Sequence, residues 1–221
     1  TSTVGTSTVF SLSTGSTIDS GDQLAYTTLL GYENAGQVAI SDQNITVDGD
    51  LNTATANLLN DTTTGTVTAT IASSEVSHLM LLRGTNAYTI TIASGDAAVS
   101  ASDLNAINAL TTEAVDLTNV NSITSSSLED LGILATAIDN GEFSNATGLT
   151  TIAVSDTTID ATTLASTIDS YDTINGIATT GMTLASGATI NVDASEVTEM
   201  LADESAGRLT ISDQQITVTG T

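Results

Sequence analysis

The sequence lacks lysine, proline, cysteine and tryptophan, and its 221 residues include only two basic residues, one histidine and six aromatic residues. Without cysteine the chain can form neither disulfides nor thiolate metal sites. Without lysine it has no Schiff-base chemistry and no phosphate-binding loop of the Gly-Lys-Ser type. Hydrophobic residues still make up 40% of the chain, so it can bury a core, and that core must consist mainly of small aliphatic side chains.

Acidic residues dominate the charge. The 26 Asp and Glu residues face only Arg83 and Arg208, which gives a formal net charge of −24. Such a chain repels phosphate backbones and anionic membrane surfaces, so nucleic acid is excluded as a partner class. No apolar run reaches the roughly 20 residues of a membrane-spanning helix, so we expect no membrane insertion. A surface of this charge suits a salty medium, where divalent cations and other counterions screen its self-repulsion.

The sequence offers little for catalysis. His78 is the only imidazole, so any Ser-His-Asp or histidine-based metal site must use it. It lies between Val76 and Leu79 in a helical pattern, and no Gly-x-Ser-x-Gly motif is present. A glycosidase carboxylate pair would normally lie in a groove lined by aromatic residues, and tryptophan is absent. We therefore interpret His78 as a helix-surface residue and expect no enzymatic activity.

Three aspartates near one turn, Asp42, Asp48 and Asp50, are the candidate metal ligands. Hard cations such as calcium take several oxygen ligands, and the Asp48-Gly49-Asp50 turn supplies two carboxylates close together. Neither the EF-hand loop nor the Gly-Gly-x-Gly-x-Asp repeat of other calcium-binding proteins occurs in the chain. Diffuse screening by cations is the alternative to a specific calcium site.

One pattern recurs along the chain: Ile or Val, a capping residue, a small residue, Ser or Thr, and then apolar residues at helical spacing. The repeats begin at positions spaced by 24 to 36 residues, namely 18, 47, 71, 99, 123, 159 and 192. Good helix N-caps follow most of these positions, as at Asp19, Ser100, Thr124, Asp160 and Asp193. Each repeat therefore predicts a short strand, a tight turn and a short helix.

Strand–helix repeats of this kind predict a repeat solenoid, with about seven coils of 24–36 residues that form a right-handed stack of parallel β-strands and short helices. We assign residues 18–221 to this solenoid and residues 1–17 to an N-terminal strand or docking tail. All-β sandwich domains are the alternative fold.

A strand-like block occurs twice almost unchanged, as Ile40-Ser-Asp-Gln-Asn-Ile-Thr-Val47 and Ile211-Ser-Asp-Gln-Gln-Ile-Thr-Val218, and more loosely at residues 154–159. The last copy has no following helix pattern or charged cap, and the first strand-like stretch is uncharged up to Asp19. Solenoids normally finish in polar caps that stop further strand pairing. We therefore expect head-to-tail self-association, either with neighbouring subunits or with further repeats of a longer chain.

Residues 99–117 and 154–164 resemble the Thr/Ala/Asp-rich repeats of giant cell-surface proteins of marine cyanobacteria, and related repeats of cyanophage virion proteins. The similarity spans roughly residues 90 to 200. This resemblance implies an extracellular location, at a cell or virion surface, and a structural or adhesive role. It implies no catalytic residues.

Two functions fit these observations. The first is a structural repeat segment of an extracellular fibre, surface layer or virion appendage that assembles end to end. The second is an adhesin or receptor-binding module that recognises a cell-surface glycan. An exposed cluster of Tyr26, Tyr32 and Tyr88 beside carboxylates would favour the adhesin, whereas free strand edges would favour the fibre.

Overall fold

The fold alternates short strands with helices, and every strand pairing in the described residues is parallel. It is taken from a computed structural model that describes residues 9–72, 74–173 and 181–219. Residues 1–8 of the predicted N-terminal tail lie outside these ranges. The chain is therefore a mixed α/β protein, and the alternative of all-β sandwich domains is wrong, because helices separate many of the strands and sandwich sheets are antiparallel.

The chain divides into two compact units, the first formed by Thr1–Thr91 with Ala109–Glu113 and the second by Ile92–Asn108 with Ala114–Thr221. The elements of the first unit are β1 (Phe10–Ser11), β2 (Thr17–Asp19), α1 (Gln23–Asn34), β3 (Val38–Ala39), β4 (Asn44–Leu51), α2 (Thr53–Thr62), β5 (Val67–Ile71), α3 (Val76–Leu79) and β6 (Ala87–Thr89). In this unit β1 pairs with β3, and a second sheet has the strand order β2-β4-β5-β6.

The second unit repeats the alternation of strand and helix. Its elements are β7 (Ala98–Ser100), α4 (Ala101–Asn108), β8 (Val115–Asp116), β9 (Ser122–Ser126), α5 (Leu128–Asp139), β10 (Phe143–Ser144), β11 (Thr151–Val154), β12 (Thr158–Asp160), α6 (Ala161–Thr173), β13 (Gly181–Thr183), β14 (Thr189–Asp193), α7 (Val197–Ser205), β15 (Leu209–Thr210) and β16 (Gln215–Thr219). A short 3₁₀ turn, Ala146–Gly148, lies between β10 and β11. The sheets have the orders β7-β9-β11-β13-β15, β12-β14-β16 and β8-β10.

Several places in the described part of the chain hold two short strands with a turn and no α-helix between them, and we use the name strand-pair segment for five of these. In sequence order they are β1–β2, β3–β4, β11–β12, β13–β14 and β15–β16. Within a unit, both strands of one segment pair with the corresponding strands of the next, so that β1 and β2 pair with β3 and β4, and β13 and β14 lie between their neighbours in two separate sheets. Each segment therefore contacts its neighbours through two strands at once.

Apolar residues at paired positions build the core. In the first unit, Ile18 pairs with Ile45, which pairs with Val67. In the second unit one such row holds Val99, Ile123, Ile152, Met182 and Leu209, and another holds Ile159, Ile190 and Ile216. Most of these side chains are fully buried. Since β-branched residues pack well on a pleated surface, the repeated Ile and Val positions explain both the strands and their stacking.

The predicted repeat spacing matches the strand register in part. The pairing of Val99 with Ile123 is confirmed. The aligned repeat starts miss the register by two residues at two places, because Ile18 pairs with Ile45 rather than Val47, and Ile159 pairs with Ile190 rather than Val192. They miss it by four residues at another, because Ile71 pairs with Leu51 rather than Val47. Side chains alternate between the faces of a strand, so a shift of two residues keeps an apolar residue on the inner face and leaves the sequence pattern unchanged.

The alignment of the repeat starts at Ile123 and Ile159 is wrong for another reason. The sequence pattern places Ile123 next to Ile159, whereas the structure pairs Ile123 with Ile152. The segment that holds Ile152 has two strands, β11 and β12, and the capping pattern marks only the second of them. No helix follows β11, so no capping residue marks its end, and the sequence pattern missed this strand.

Two of the five predicted N-caps are confirmed as helix caps. The Ser100 hydroxyl accepts from the Asp103 N–H at 3.1 Å, and the Asp160 carboxylate accepts from the Thr163 N–H at 3.0 Å. The caps of α1 and α5 are Asp22 and Ser127 rather than Asp19 and Thr124. Asp193 accepts from two backbone N–H groups in a turn that precedes α7. α1, α4, α5 and α6 therefore begin at capping residues, and the strands before α1 and α5 leave a longer turn than the pattern predicts.

Leu131 on α5 tests whether the predicted inner helix face is the core. Leu131 is fully buried, while Ile133 on the same helix is 52% exposed. We expect Leu131→Ala to lower the free energy of unfolding by about 2–5 kcal/mol because it removes apolar contacts and leaves a cavity. Ile133→Ala, the matched control, should change it by less than about 1 kcal/mol. Urea unfolding curves measure both, and equal effects would contradict the assignment of the helix face.

Candidate functional site

A Ser-Asp-Gln turn links β3 to β4 and recurs between β15 and β16, and its geometry is the same in both places. In the first unit, the Gln43 carbonyl oxygen Oε1 accepts from the Ser41 N–H at 2.8 Å, and Gln43 Nε2 donates to Asp42 Oδ1 at 2.7 Å. In the second unit, Gln214 Oε1 accepts from the Ser212 N–H at 2.7 Å and its Nε2 donates to Asp213 at 3.0 Å. The repeated sequence therefore encodes one repeated turn.

The glutamine of this turn also holds the preceding strand-pair segment. Gln43 Nε2 donates to the backbone oxygen of Ser13 at 3.2 Å, and Gln214 Nε2 donates to that of Ala185 at 3.0 Å. Ser13 and Ala185 both lie in the turn of the segment before. A single amide side chain therefore closes its own turn and bridges to the neighbouring turn, a role that sequence analysis missed although the identical Ser-Asp-Gln triplets were its signal.

Residues 63–71, which include β5, cover the side of the first copy of this block that faces away from β2. Thr63 Oγ1 donates to the Gln43 backbone oxygen at 2.6 Å, and the Thr64 N–H donates to the Ser41 oxygen at 2.8 Å. The Ile45 N–H donates to the Thr66 oxygen at 2.9 Å. Ile45 is 0% exposed as a result. In this copy the strand has neighbours on both sides.

The second copy of the block has a neighbour on one side only. Strand β16 ends the sheet order β12-β14-β16, so among the described residues its outer edge pairs with no strand. Ile216 is 45% exposed and Val218 is 56% exposed, although their counterparts Ile45 and Val47 are buried. In a parallel ladder alternate backbone groups point to opposite sides. Because the Gln215 N–H bonds back to Ala188, the Ile216 N–H points to the open side.

Within the residues that the structure describes, strand β2 is a second open edge, at the end of the order β2-β4-β5-β6. Its segment exposes Val9, Phe10 and Leu12. Five of the twelve large apolar side chains that are exposed in the described residues therefore lie in the first and last strand-pair segments. Exposed apolar residues on open strand edges are typical of surfaces that pair with another strand. These two edges are the candidate functional site.

The candidate calcium ligands lie around β4. Asp42 accepts from Gln43 within the Ser-Asp-Gln turn. Asp48 and Asp50 are exposed and flank Gly49, whose φ of 89° turns the strand at an irregularity in its pairing with β5. Within the described ranges, no group of three or more histidine, aspartate or glutamate side chains is placed to hold a metal ion. A calcium site at these three residues therefore stays a prediction.

The tyrosines do not form the exposed cluster that would favour an adhesin. Tyr26 and Tyr88 are 1% and 0% exposed, and only Tyr32 is half exposed. The Tyr88 hydroxyl donates to the Ala56 backbone oxygen at 3.3 Å. Burial raises the pKa of both Tyr26 and Tyr88 to about 12. These two side chains are core residues of the first unit.

His78 lies on the surface of α3, as predicted. It lines a surface groove of about 770 Å³ that also holds Met80, Leu81 and Arg83. Arg83 pairs with Asp61 at 2.9 Å, and both side chains are more than half exposed. Because exposed ion pairs are weak, this contact contributes little to stability.

A groove of about 940 Å³ in the second unit runs over α4, α5 and α6. Amide, hydroxyl and carboxylate side chains line it together with apolar ones, including Asn105, Asn108, Glu129, Leu128 and Ile133. No aromatic side chain is among the described residues of its wall. The groove therefore offers hydrogen bonds to a polar ligand but no ring on which a sugar would stack.

Arg208 joins two carboxylates in the second unit. Its guanidinium bonds to Asp172 on α6 and to Asp203 on α7. Burial raises the pKa of Asp203, which is 2% exposed, and the nearby positive charge opposes that shift. The arrangement ties together two helices of an acidic chain and is fully explained by that structural role.

Comparison of the chain with models of protein families, with characterised proteins and with solved structures found no match. None of the helices in the described part of the chain combines the length and the apolar character that crossing a bilayer requires.

The two glutamines provide a matched test of the turn. We expect Gln43→Ala to lower the free energy of unfolding by about 1–3 kcal/mol, because Gln43 is 2% exposed and the variant removes its hydrogen bonds and leaves a gap at a buried position. Gln214→Ala removes the same bonds where water reaches the turn, so its cost should be under about 1 kcal/mol. Thermal and urea unfolding measure both variants. If the two variants lowered the free energy of unfolding equally, the covering of the first turn by residues 63–66 would not strengthen it.

Proposed function

We propose that this chain is a structural repeat segment of an extracellular fibre, surface layer or virion appendage, and that it assembles end to end through its open strand edges. The observation that carries the proposal is the contrast between two nearly identical blocks. Residues 40–47 are covered on one side by residues 63–71, whereas residues 211–218 present the corresponding backbone and apolar groups to solvent.

A right-handed solenoid of parallel strands and short helices is the architecture that this role needs. The strand-pair segments support it, because within its unit each one pairs in parallel, through both strands, with at least one other segment. Parallel strands in one sheet require crossover connections, and such crossovers are right-handed in nearly all proteins. In a solenoid each coil contacts only its neighbours, so the stack extends by adding coils.

An extracellular setting is supported by the composition. With 26 acidic and two basic residues, the chain gains stability where dissolved cations screen its charge. Calcium bound at Asp42, Asp48 and Asp50 would act in the same direction. The resemblance to repeats of cyanobacterial surface proteins and cyanophage virion proteins points to the same setting.

An adhesive function, with a glycan bound at the surface, has less support. The groove over α4, α5 and α6 favours it, since the amide and carboxylate side chains on its wall are of the kind that bind sugar hydroxyls. The burial of Tyr26 and Tyr88 removes the aromatic surface that most glycan sites use. The strand edges therefore support a structural function better than the groove supports an adhesive one.

Charge placed on the open edge of β16 tests the proposal. We expect the chain to form end-to-end oligomers as its concentration rises. In the double variant Ile216→Lys with Val218→Lys, the dissociation constant should rise by more than about tenfold, because lysines on a strand edge oppose pairing. Sedimentation velocity over a concentration series measures the association.

Leu201→Lys is the matched control, because Leu201 on α7 is 51% exposed but does not belong to the edge strand. It should leave the association unchanged. A wild-type chain that stays monomeric at high concentration, or equal weakening by both kinds of substitution, would contradict end-to-end assembly through β16.

A further inference from the structure

The first strand-pair segment has an internal counterpart in the second unit. Residues 10–19 read Phe-Ser-Leu-Ser-Thr-Gly-Ser-Thr-Ile-Asp, and residues 182–191 read Met-Thr-Leu-Ala-Ser-Gly-Ala-Thr-Ile-Asn. Their glycines, Gly15 and Gly187, take left-handed φ values of 64° and 67°. This backbone conformation favours glycine, so the two turns are alike in sequence and in shape.

The contacts of the two segments also agree. The Ser16 N–H donates to the Ser13 oxygen at 3.1 Å, and the Ala188 N–H donates to the Ala185 oxygen at 3.2 Å. Each turn then receives the glutamine of the Ser-Asp-Gln turn that follows it. The β1–β2 and β13–β14 segments are therefore two copies of one structural element.

Within the second unit, the β13–β14 copy pairs with the β11–β12 segment, which contains the looser Ser-Asp block at residues 154–159. Ile152 pairs with Met182, and Ile159 pairs with Ile190. The Thr189 N–H donates to the Thr157 oxygen at 2.9 Å.

The β15–β16 segment repeats the layout of β11–β12. Leu209 and Ile216 are seven residues apart, as are Ile152 and Ile159, and a Ser-Asp turn lies between the strands in both. The difference is that β11–β12 has its neighbour in place, whereas β15 and β16 each end a sheet. A segment of the β13–β14 kind therefore fits on β15–β16.

We infer that a second copy of this chain supplies that segment, by docking its residues 10–19 on residues 209–219 of the first copy. The register follows from the β11–β12 precedent and places Phe10 of the second copy against Leu209, Ile18 against Ile216 and Asp19 against Thr217. This inference rests on the proposed end-to-end assembly and names its partner and register.

Apolar surface and charge at the two edges favour this partner. The single chain exposes apolar side chains at both edges, namely Val9, Phe10 and Leu12 at one and Ile216 and Val218 at the other. Residues 1–18 carry no charged side chain, and Asp213 is the only one in residues 209–219. In a chain of net charge −24, these two edges therefore approach one another with the least repulsion.

Cysteine pairs test the register directly, because the natural chain has no cysteine. In the double variant Asp19→Cys with Thr217→Cys, the two sites of neighbouring copies lie on adjacent strands about 4.8 Å apart, which suits a disulfide. We expect mild oxidation to give a ladder of linked chains on a non-reducing gel. Asp160→Cys with Asn191→Cys, the equivalent pair inside one chain, should form a disulfide within the monomer and serves as the positive control.

Asp19→Cys with Gln215→Cys is the register control. It shifts one site by two residues, which puts the Cα atoms about 8 Å apart, beyond the reach of a disulfide. It should cross-link at least about tenfold more slowly than the 19–217 pair. Mixing the two single variants Asp19→Cys and Thr217→Cys should link the different chains as dimers, which shows the contact without relying on either double variant.

The outcomes separate this inference from the function on which it rests. Oligomers that are sensitive to Ile216→Lys, but that cross-link equally at the 19–217 and 19–215 pairs or at neither, would overturn the register and leave end-to-end assembly standing. The absence of oligomers and of intermolecular links in all variants, with the internal control formed, would overturn both.

Discussion

Each strand-pair segment of this chain buries apolar residues against its neighbouring segments as well as against the helices that pack on it. The paired rows of Ile and Val make this dependence visible, since Ile45 lies between Ile18 and Val67, and Ile190 lies between Ile159 and Ile216. A residue in the middle of a row is fully buried, and Ile216 at its end is not. Hydrophobic burial, which is the dominant favourable contribution to folding, is therefore incomplete at the β16 end of this row, although Ile159 at its other end is buried. The open edge of β16 thus leaves Ile216 and Val218 exposed.

Hydrogen bonds between turns add to the pairing of strands. The amides of Gln43 and Gln214 bridge to the preceding turn, and side chains such as Thr63 bond to the backbone of the segment before. These bonds use neutral groups, which is consistent with a chain that has only two cations with which to form ion pairs. The abundance of Ser and Thr thus has a structural explanation: short polar side chains satisfy backbone groups at the turns, while aliphatic side chains fill the core.

The repeat pattern predicted the alternation of short strands and helices, the inner face of α5 and two of the helix caps. It could not fix the strand register, because a shift of two residues keeps an apolar residue on the inner face. The repeat aligns Ile18 with Val47, for example, whereas the structure pairs Ile18 with Ile45. It also missed the strands that no helix follows, such as β11. Tyr26 and Tyr88 could not be placed from sequence, since a tyrosine suits both a core and a binding surface. The duplicated Ser-Asp-Gln block was visible in the sequence, but only the structure shows that one copy is covered and the other is open.

Amide hydrogen exchange at Ile45 and Ile216 tests the central claim most directly, because these residues occupy the same position in the covered and the open block. The Ile45 N–H is bonded to Thr66 at 2.9 Å and should exchange slowly at every protein concentration. The Ile216 N–H should exchange quickly in dilute solution and slow markedly as the concentration rises and strands pair. An Ile216 amide that exchanges at one rate at all concentrations, whether as slowly as that of Ile45 or quickly throughout, would contradict the account.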